Sequence, residues 1–491
     1  MFFHQRFVPG LAIYSYIVGD EKTGQAAVID PTRDVDEFIE IAARAGLQIR
    51  HVMETHIHAD FVSGSRELKD RLGDSVTIHA SGMGGDDWTP TDADHVVKDG
   101  DEVAMGSLRL IAMHTPGHTL EHLSWGLFDD ERSKDTPWLI FTGDFAFVGD
   151  VGRPDLLGDE ARKVLASQLY DSVFNRMPAW RDFTEIFPGH GSGSLCGKAI
   201  GSRASSTVGY ERHFNAALAE KPEQQWIGDL MDQMPLSPPY FARMKRINKE
   251  GPKVIGSNLP GQYALSADEV HGRKDVSHLV LDIRSKESFA TAHIPGAISI
   301  PMGPMLPTWA GWILPYDRPI LVVADDAAQM TAVATHLVRV GFDDIQGFLV
   351  GMDDWEVRGY AVESLATLSV QELNDRRDDV VVLDVRTESE WDSGHIKHAT
   401  HVHGGTLPQN LERIPRDQPV AVICGSGYRG SIAASLLMRE GFKDVANVLG
   451  GMSAWVTAGF AIQDSKGEPV RSSCAGASSQ TSCNDVSSHS V

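Results

Sequence analysis

The sequence predicts a multidomain α/β protein: a sandwich of two sheets flanked by helices, followed by two smaller α/β domains, each on a parallel sheet. Three observations carry this. At 491 residues and 42% hydrophobic content the chain is too long for one ordinary core and apolar enough for several. Its first half alternates apolar runs with helical spacing, and several runs end in a His or Asp. Its second half contains one pattern, about a hundred residues long, twice.

In chain order, Leu11 to Val18 and Gln25 to Asp30 are rich in apolar and β-branched residues and flank the turn-rich Gly19-Asp20-Glu21-Lys22-Thr23-Gly24, a hairpin pattern. Val35 to Leu47 places Phe38, Ile39, Ile41, Ala42 and Leu47 at mostly helical spacing, with Gly46 near the end. A strand over Ile49 to Thr55 follows, then a helix over Ser65 to Leu72 and strands over Val76 to His79, Leu108 to Met113, His122 to Phe128 and Trp138 to Phe141. That order suits two sheets covered by helices, with the polar clusters gathered at one edge. The unit closes from residue 222 onward, through Met234-Pro235-Leu236-Ser237-Pro238-Pro239, and Gly251-Pro252 to Gly261 reads as a linker.

Beyond the linker, Leu281-Asp282-Ile283-Arg284-Ser285 and His293-Ile294-Pro295-Gly296-Ala297 match Leu383-Asp384-Val385-Arg386-Thr387 and His395-Ile396-Lys397-His398-Ala399. Gly341-Phe342 and Gly351-Met352-Asp353-Asp354-Trp355 match Gly441-Phe442 and Gly451-Met452-Ser453-Ala454-Trp455. The strands Leu279 to Ile283 and Val380 to Val385 are near-continuous apolar runs, as parallel sheets covered on both faces require. Domains are expected over 1–250, 262–362 and 366–464, with a Ser-rich disordered tail over 465–491. Asp282, Arg284, Asp384 and Arg386 occur in both copies and read as fold-supporting pairs.

A formal net charge of −23 argues against sequence-independent nucleic-acid binding, which needs a basic surface. No apolar run approaches a membrane span and the N-terminus does not lead into a secretory signal, so a soluble cytoplasmic protein with no membrane partner is expected. Four cysteines, at 196, 424, 474 and 483, are too few for a disulfide framework and read as thiols.

The chemistry concentrates in Thr55-His56-Ile57-His58-Ala59-Asp60-Phe61, two imidazoles and a carboxylate at the exit of a strand. Any one of these histidines alone reads more simply as part of a solvated loop. As a group they gain partners in Thr115-Pro116-Gly117-His118, Phe141-Thr142-Gly143-Asp144 and Phe187-Pro188-Gly189-His190, each with a His or Asp just past an apolar run, and together these can converge on a metal. His114 reads as structural.

With these motifs the first unit resembles the metallo-β-lactamase superfamily. Hydrolases of that superfamily usually carry another His, part of their second metal site, where this chain has Phe61. An apolar ring cannot coordinate, so Phe61 argues for one metal, with Asp60 and His190 left as donors of a weak second site. The motifs further resemble those of persulfide dioxygenases, and the resemblance implies one Fe(II) per chain on His56, His118 and Asp144, with His58 and Asp60 orienting ligands or a bound water. Two histidines and one carboxylate leave adjacent positions open for a substrate and O2. Gly152-Arg153-Pro154-Asp155 resembles the family's Gly-Arg-x-Asp stretch, which implies a place for Arg153 in the substrate pocket; a surface salt bridge is the alternative. Cys196 follows His190 closely, and the resemblance offers it as an accessory sulfur-accepting thiol against the alternative of an inert buried one.

The repeated domains resemble rhodaneses. The run Val420 to Ile423 ends at Cys424 and is followed by Gly425-Ser426-Gly427-Tyr428-Arg429-Gly430-Ser431 and a helical stretch from Ile432 to Glu440. Backbone N–H groups and a helix N-terminus around Cys424, with charge from Arg429, lower the cost of a thiolate and hold a persulfide on it. Gly425, Gly427, Tyr428 and Arg429 are therefore expected to bind substrate. The first copy has Ala324 in place of the cysteine and Asp325-Asp326-Ala327-Ala328-Gln329-Met330 in place of the loop, so a spacer or docking surface is expected there. Cys474 and Cys483 read as incidental.

Taken together, the chain resembles persulfide dioxygenase–rhodanese fusions. The resemblance implies oxidation of a low-molecular-weight persulfide, such as that of glutathione, by O2 to sulfite and free thiol, coupled to sulfur transfer that makes or consumes thiosulfate, in a homo-oligomer. One rival is a zinc thioester hydrolase of the glyoxalase II kind joined to a sulfurtransferase. Another is a non-enzymatic sulfur carrier in which only Cys424 functions.

Overall fold

Apolar alternation in the first half folds into two mixed sheets. A computed structural model describes residues 1–232, 234–274 and 277–470, which divide into one unit of Met1–Asn258 with Val338–Gly341 and a second of Leu259–Leu337 with the chain from Phe342. In the first unit, β1 (Phe2–Val8), β2 (Ile13–Asp20), β3 (Gln25–Ile29), β4 (Gln48–Met53), β5 (Thr77–Ser81) and β6 (His95–Val97) lie side by side in that order. The expected hairpin is β2 against β3, paired from Tyr16↔Ile29 to Asp20↔Gln25. Helices α1 (Asp36–Arg44) and α2 (Ser65–Leu72) bring Phe38, Ala42 and Leu68 against Val28, Ile49 and Val52 on one face of this sheet.

The second sheet contains β7 (Glu102–Met105), β8 (Leu108–His114), β9 (Leu123–Asp129) and β10 (Leu139–Gly143); a small hairpin of β11 (Ala146–Phe147) and β12 (Asp150–Val151) follows, then β13 (Glu185–Pro188) and β14 (Ser206–Thr207) complete the sheet in the order β14-β13-β10-β9-β8-β7. Tyr16, Ile29 and Met53 of one sheet meet Leu110, Trp125, Phe141 and Phe187 of the other in a shared core. Helices α3 (Asp159–Asp171), α4 (Val208–Phe214), α5 (Glu223–Met231) and α6 (Tyr240–Glu250) complete the unit, with Leu169, Trp226 and Leu230 against the outer face of the second sheet. The layers are thus helix, sheet, sheet, helix. Because β8 and β10 both run antiparallel to β9, and β13 runs parallel to β10, the segments after β8, β10 and β13 leave at one edge. That edge is where the His and Asp motifs gather.

In the second unit, α7 (Ala267–Lys274), β15 (Leu279–Asp282), α8 (Lys286–Thr291), β16 (Ile298–Ser299), α9 (Leu306–Ile313), β17 (Ile320–Ala324), α10 (Met330–Arg339), β18 (Ile345–Val350) and α11 (Asp353–Val357) make a parallel sheet of order β16-β15-β17-β18. The second copy repeats it with β19 (Ala366–Leu368), α12 (Val370–Arg376), β20 (Val381–Asp384), α13 (Glu388–Ser393), β21 (Thr400–His401), β22 (Val420–Ile423), α14 (Tyr428–Arg439), β23 (Val445–Val448) and α15 (Gly451–Thr457), all strands parallel in the order β19-β23-β22-β20-β21. Residues 465–470 depart from the expected tail, since β24 (Ile462–Gln463) pairs with β25 (Pro469–Val470); the rest of that tail, with Cys474 and Cys483, lies outside the described residues. No described helix is long and apolar enough to cross a membrane.

The repeated Asp-x-Arg pairs are internal struts. Arg284 and Arg386 each grip both carboxylate oxygens two residues back, at 2.6–3.1 Å, and donate onward to Ala292 O and Gly394 O. Asp384 is fully buried and the Arg386 side chain is 8% exposed, so Asp384→Ala strands a buried guanidinium and is expected to cost about 3–5 kcal/mol, read as a lower denaturation midpoint for the second unit.

Candidate metal centre and sulfur site

The edge of the sandwich places three potential ligand atoms, one each from His56, His118 and Asp144, within 4.8 Å of one another. His56 Nε2 and His118 Nε2 lie 3.9 and 3.4 Å from Asp144 Oδ2. The far nitrogen of each ring is fixed by a neighbour. Thr55 Oγ1 donates to Asp30 Oδ2 at 2.8 Å and so accepts from His56 Nδ1 at 2.9 Å, while His118 Nδ1 donates to the Arg153 carbonyl at 2.9 Å. Both tautomers therefore turn an Nε2 lone pair inward. Burial pushes both imidazoles well below their ordinary pKa, which keeps them neutral, and pushes the Asp144 carboxyl up to about 6, with Asp60 adding to the rise and His190 opposing it.

The donor set fits a metal ion. His118 Nε2 and both oxygens of Asp144 are buried without a hydrogen-bond partner, as are both oxygens of Asp60. Buried polar atoms left unmatched at this density are costly unless a cation satisfies them. Gly143 explains the spacing of the Thr-Gly-Asp motif: at φ +48°, a Cβ there would stand 2.7 Å from both His122 Nε2 and Thr55 Oγ1. His122, read from sequence only as the start of a strand, accepts the Asp144 N–H at 3.0 Å and shares its other nitrogen with Thr115 Oγ1 at 2.9 Å. Nothing in its local sequence marks it.

The remaining expected residues separate into two further groups. Asp60, His190 and Cys196 also converge within 4.8 Å, with His190 Nε2 3.4 Å from Asp60 Oδ2 and 3.5 Å from Asp144 Oδ2. His58 goes elsewhere. Its Nε2 lies 3.1 Å from Asp30 Oδ1 and 3.1 Å from Glu54 Oε2; burial opposes protonation, but these two carboxylates outweigh it and raise the pKa well above the ordinary value. His58 thus groups with Asp30 and Glu54, a third set of donor atoms within 4.8 Å of one another, apart from His56, His118 and Asp144. Phe61 is buried with its ring 4.3 Å from that of His58. His114 is structural as read, its Nε2 2.9 Å from the Leu120 carbonyl.

Arg153 is not a surface residue. It is 1% exposed, both Asp155 oxygens occupy its fork at 2.6 and 2.8 Å, and Nη1 donates to Leu195 O at 3.0 Å. Its backbone N–H donates to Cys196 O at 3.0 Å, so the residue clamps the Cys196 loop to the segment that orients His118. Burial, reinforced by the charges of Asp144 and Asp60, pushes the Cys196 thiol well up.

The second copy builds the opposite environment. Cys424 follows β22 and its Sγ accepts N–H groups from Gly427 at 3.1 Å and Gly430 at 3.3 Å, at the N-terminus of α14. Gly427 sits at φ +93°, a left-handed conformation that favours glycine. Gly430 was not singled out in the sequence, and Gly425 serves through its carbonyl, which accepts from Ser453 N at 3.0 Å. Arg429 lies where its charge acts on Cys424, and Glu390 also holds it bidentately at 2.6 and 2.7 Å. A second cation comes from the first copy, where Lys286 Nζ donates to Ser426 O at 3.2 Å. Tyr428 likewise donates to Pro301 O of the first copy at 3.2 Å, and burial lifts its phenol well above the ordinary value. In the first copy's own loop, Asp326 Oδ1 accepts the Ala328 N–H at 2.9 Å, so this loop carries a carboxylate where the second copy has Ser426.

Comparison with known proteins agrees with this layout. Residues 8–190 match the Metallo-beta-lactamase superfamily, and residues 266–358 and 369–458 each match the Rhodanese-like domain. A metallo-beta-lactamase structure from Staphylococcus aureus subsp. aureus COL is 36% identical with a TM-score of 0.63, covering 72% of this chain and 99% of that one. The chain belongs to the metallo-β-lactamase superfamily, with two rhodanese-like domains behind the metal-binding one. Among curated relatives it is similar to "Persulfide dioxygenase ETHE1, mitochondrial" of Bos taurus, 28% identical over 48% of this chain and 82% of that protein. It is also similar to "Hydroxyacylglutathione hydrolase cytoplasmic" of Arabidopsis thaliana, 31% identical over 36% of this chain. The match spans 63% of that hydrolase and 64% of a probable metallo-hydrolase of Burkholderia pseudomallei, under two thirds of each.

Three outcomes are expected. His118→Ala and Asp144→Ala each remove a ligand, and elemental analysis of the purified variants should find the bound metal reduced to background. Iodoacetamide followed by peptide mapping should label Cys424 well before Cys196, whose surroundings oppose a thiolate. Burial works against the Glu390 carboxylate, but its bonds to Arg429 take it down to about 2. A depressed carboxylate stabilises the fold above its unfolded value of about 4.3 and loses that contribution as pH falls toward about 2. Acid unfolding of Glu390→Gln should therefore lack that part of the pH dependence.

Proposed function

We propose that the first unit is a persulfide dioxygenase holding one Fe(II) on His56, His118 and Asp144, and that Cys424 is the sulfur carrier of a sulfurtransferase in the second. The observation that carries the reading is the set of two neutral imidazoles and one carboxylate, beside a position filled by Phe61. Iron bound there would activate O2 and accept a sulfur donor at its open positions. The protein's part is to hold both Nε2 lone pairs inward through Thr55 and the Arg153 carbonyl, and to keep water out with buried Phe61 and Phe147. The overall reaction takes RSSH, O2 and H2O to RSH, sulfite and two protons. The persulfide of glutathione or another small thiol is the substrate.

In the second unit the Cys424 thiolate attacks the outer sulfur of thiosulfate; the S–S bond breaks, sulfite leaves with the electron pair, and a Cys424 persulfide forms. Attack by sulfite restores thiosulfate, and attack by a thiol yields a new small persulfide. The amides of Gly427 and Gly430 support the anionic sulfur, and Arg429 and Lys286, paired with Glu390 and Glu287 respectively, bring positive charge to the loop. That copy thus serves as part of the site rather than as a spacer. Arg153 acts as a clamp on the pocket wall, and Cys196 as an accessory thiol whose role as a sulfur acceptor waits on loss of its proton.

A zinc thioester hydrolase is the second reading, favoured by the Asp60, His190 and Cys196 cluster, which offers donors for another ion. Anaerobic iron loading followed by O2 uptake on glutathione persulfide tests the choice: uptake with one iron per chain supports the dioxygenase, whereas two zincs and turnover of S-lactoylglutathione reject it. Cys424→Ser should keep O2 uptake and lose thiosulfate sulfurtransferase activity. Lys286→Gln should raise KM for thiosulfate by about tenfold, the scale of a hydrogen bond to a charged group.

A further inference from the structure

The Cys424 loop is held from outside through its carbonyls. Cys424 O accepts from Met452 N at 2.7 Å and Gly425 O from Ser453 N at 3.0 Å, both donors lying in the first turn of α15. Ser426 O accepts from Lys286 Nζ at 3.2 Å, and Gly427 O from Asn447 Nδ2 at 3.0 Å. Four peptide groups in a row are thereby fixed, and because each peptide is planar the loop has little freedom to turn its N–H groups. Two of the four donors are backbone amides, and Lys286 is a half-buried side chain. Asn447 is the one fully buried side chain among them, 2% exposed.

Asn447 sits in β23 opposite Val422 of β22, which lies two residues before the cysteine. Its Nδ2 shares the Gly427 carbonyl with Ser431 N, which donates to it at 3.1 Å in the first turn of α14. Its Oδ1 is buried without a donor and faces Gly430, where a Cβ would stand 2.3 Å away, so a side chain at 430 would displace the amide. Gly427 and Gly430 are the two residues whose N–H groups reach Cys424 Sγ, and Asn447 is packed against both. The first copy lacks the whole arrangement. Counting from the paired Gly-Phe steps, it has Ala324, Met330 and Gly347 where the second has Cys424, Gly430 and Asn447, and Phe348 is the residue opposite Val322. Cysteine, glycine and amide are absent together.

We propose that Asn447 is a positioning residue for sulfur transfer: its amide fixes the Gly427 carbonyl and, through it, the aim of the Gly427 and Gly430 N–H groups at Cys424 Sγ. It does not touch the substrate. Without it, Gly427 at φ +93° is a glycine with wide backbone freedom, able to turn its N–H off the sulfur. A thiolate or a persulfide anion gains more from two aligned N–H donors than a neutral thiol does, so Asn447 acts on the ionisation of the sulfur and not on substrate contacts. This rests on the sulfurtransferase reading above.

The test compares the full-length chain with Asn447→Ala, which removes the amide, and Asn447→Asp, which keeps its shape but replaces the donor with an oxygen. Iodoacetamide alkylation of Cys424 is followed by peptide mapping across a pH series. The pH of half-limiting rate should rise by about one unit in each variant, while the limiting rate at high pH stays the same. At pH 7, kcat/KM for sulfur transfer from thiosulfate to cyanide should fall about tenfold in step. An unmoved alkylation midpoint, with or without a fall in turnover, overturns the assignment. Loss of folded protein in both variants, read by circular dichroism, overturns it too, because Asn447 then holds the fold and not the sulfur. If the wild type transfers no sulfur from thiosulfate, the sulfurtransferase reading fails by itself, and the alkylation profiles still decide the role of Asn447.

Discussion

Asp144 is the constraint around which the first unit is arranged. Its carboxylate is 1% exposed, and neither oxygen has a hydrogen-bond donor. Such a group belongs in a protein interior only beside positive charge, and burial disfavours protonation of His56 and His118 beside it, so a bound cation is what the site calls for. Much of the local structure follows from aiming that carboxylate. The residue before it must be glycine to clear His122 and Thr55, and the residue itself is held by a bond from its N–H to His122. Asp30, at φ +48°, reaches Thr55 through both its N–H and its hydroxyl, and through Thr55 it sets His56.

The second unit solves the opposite electrostatic problem. There a cysteine sulfur accepts two amide N–H groups at a helix N-terminus, and a lysine from the neighbouring repeat donates to the Ser426 carbonyl of the same loop. The two copies differ at the loop after the corresponding strand, with Ala324 at the end of β17 where Cys424 follows β22. In the first copy an aspartate caps that loop from within, through the Ala328 N–H. Released from chemistry at its own loop, that copy supplies Lys286 and the Pro301 carbonyl to the other.

How much was legible in the sequence follows from the range of the interactions. The motifs holding His56, His118 and Asp144 were readable because each sits just past a strand, and strands are marked by local apolar runs; the choice of these three among the His and Asp residues came from the family resemblance. The Asp-x-Arg struts were readable because both partners lie two residues apart in both copies. His122 and Lys286 were not, because each matters through partners distant in the chain: Asp144 and Ser426. His58 and Arg429 were recognised, but not all of their neighbours were. Sequence marked the imidazole and the guanidinium, but not Asp30 and Glu54 beside one or Glu390 beside the other. Strands β1, β7 and β14 were missed for another reason: they are short, or polar on one face, and are specified by their neighbours in the sheet.

The two buried cysteines make the same point in chemical terms. Both are 1% exposed, so burial alone does not distinguish them. Around Cys196 stand Asp60 and Asp144, which repel a thiolate; around Cys424 stand two N–H donors, which favour one. Sulfur transfer needs a nucleophile that is anionic before the donor arrives and remains stabilised once the persulfide has formed. Only the second environment turns N–H donors toward the sulfur. A cation bound at Asp144 would change the balance at Cys196, because it would cancel the nearest negative charge. The reactivity of that thiol is therefore tied to the occupancy of the metal site in a way that Cys424, cradled by backbone amides, is not.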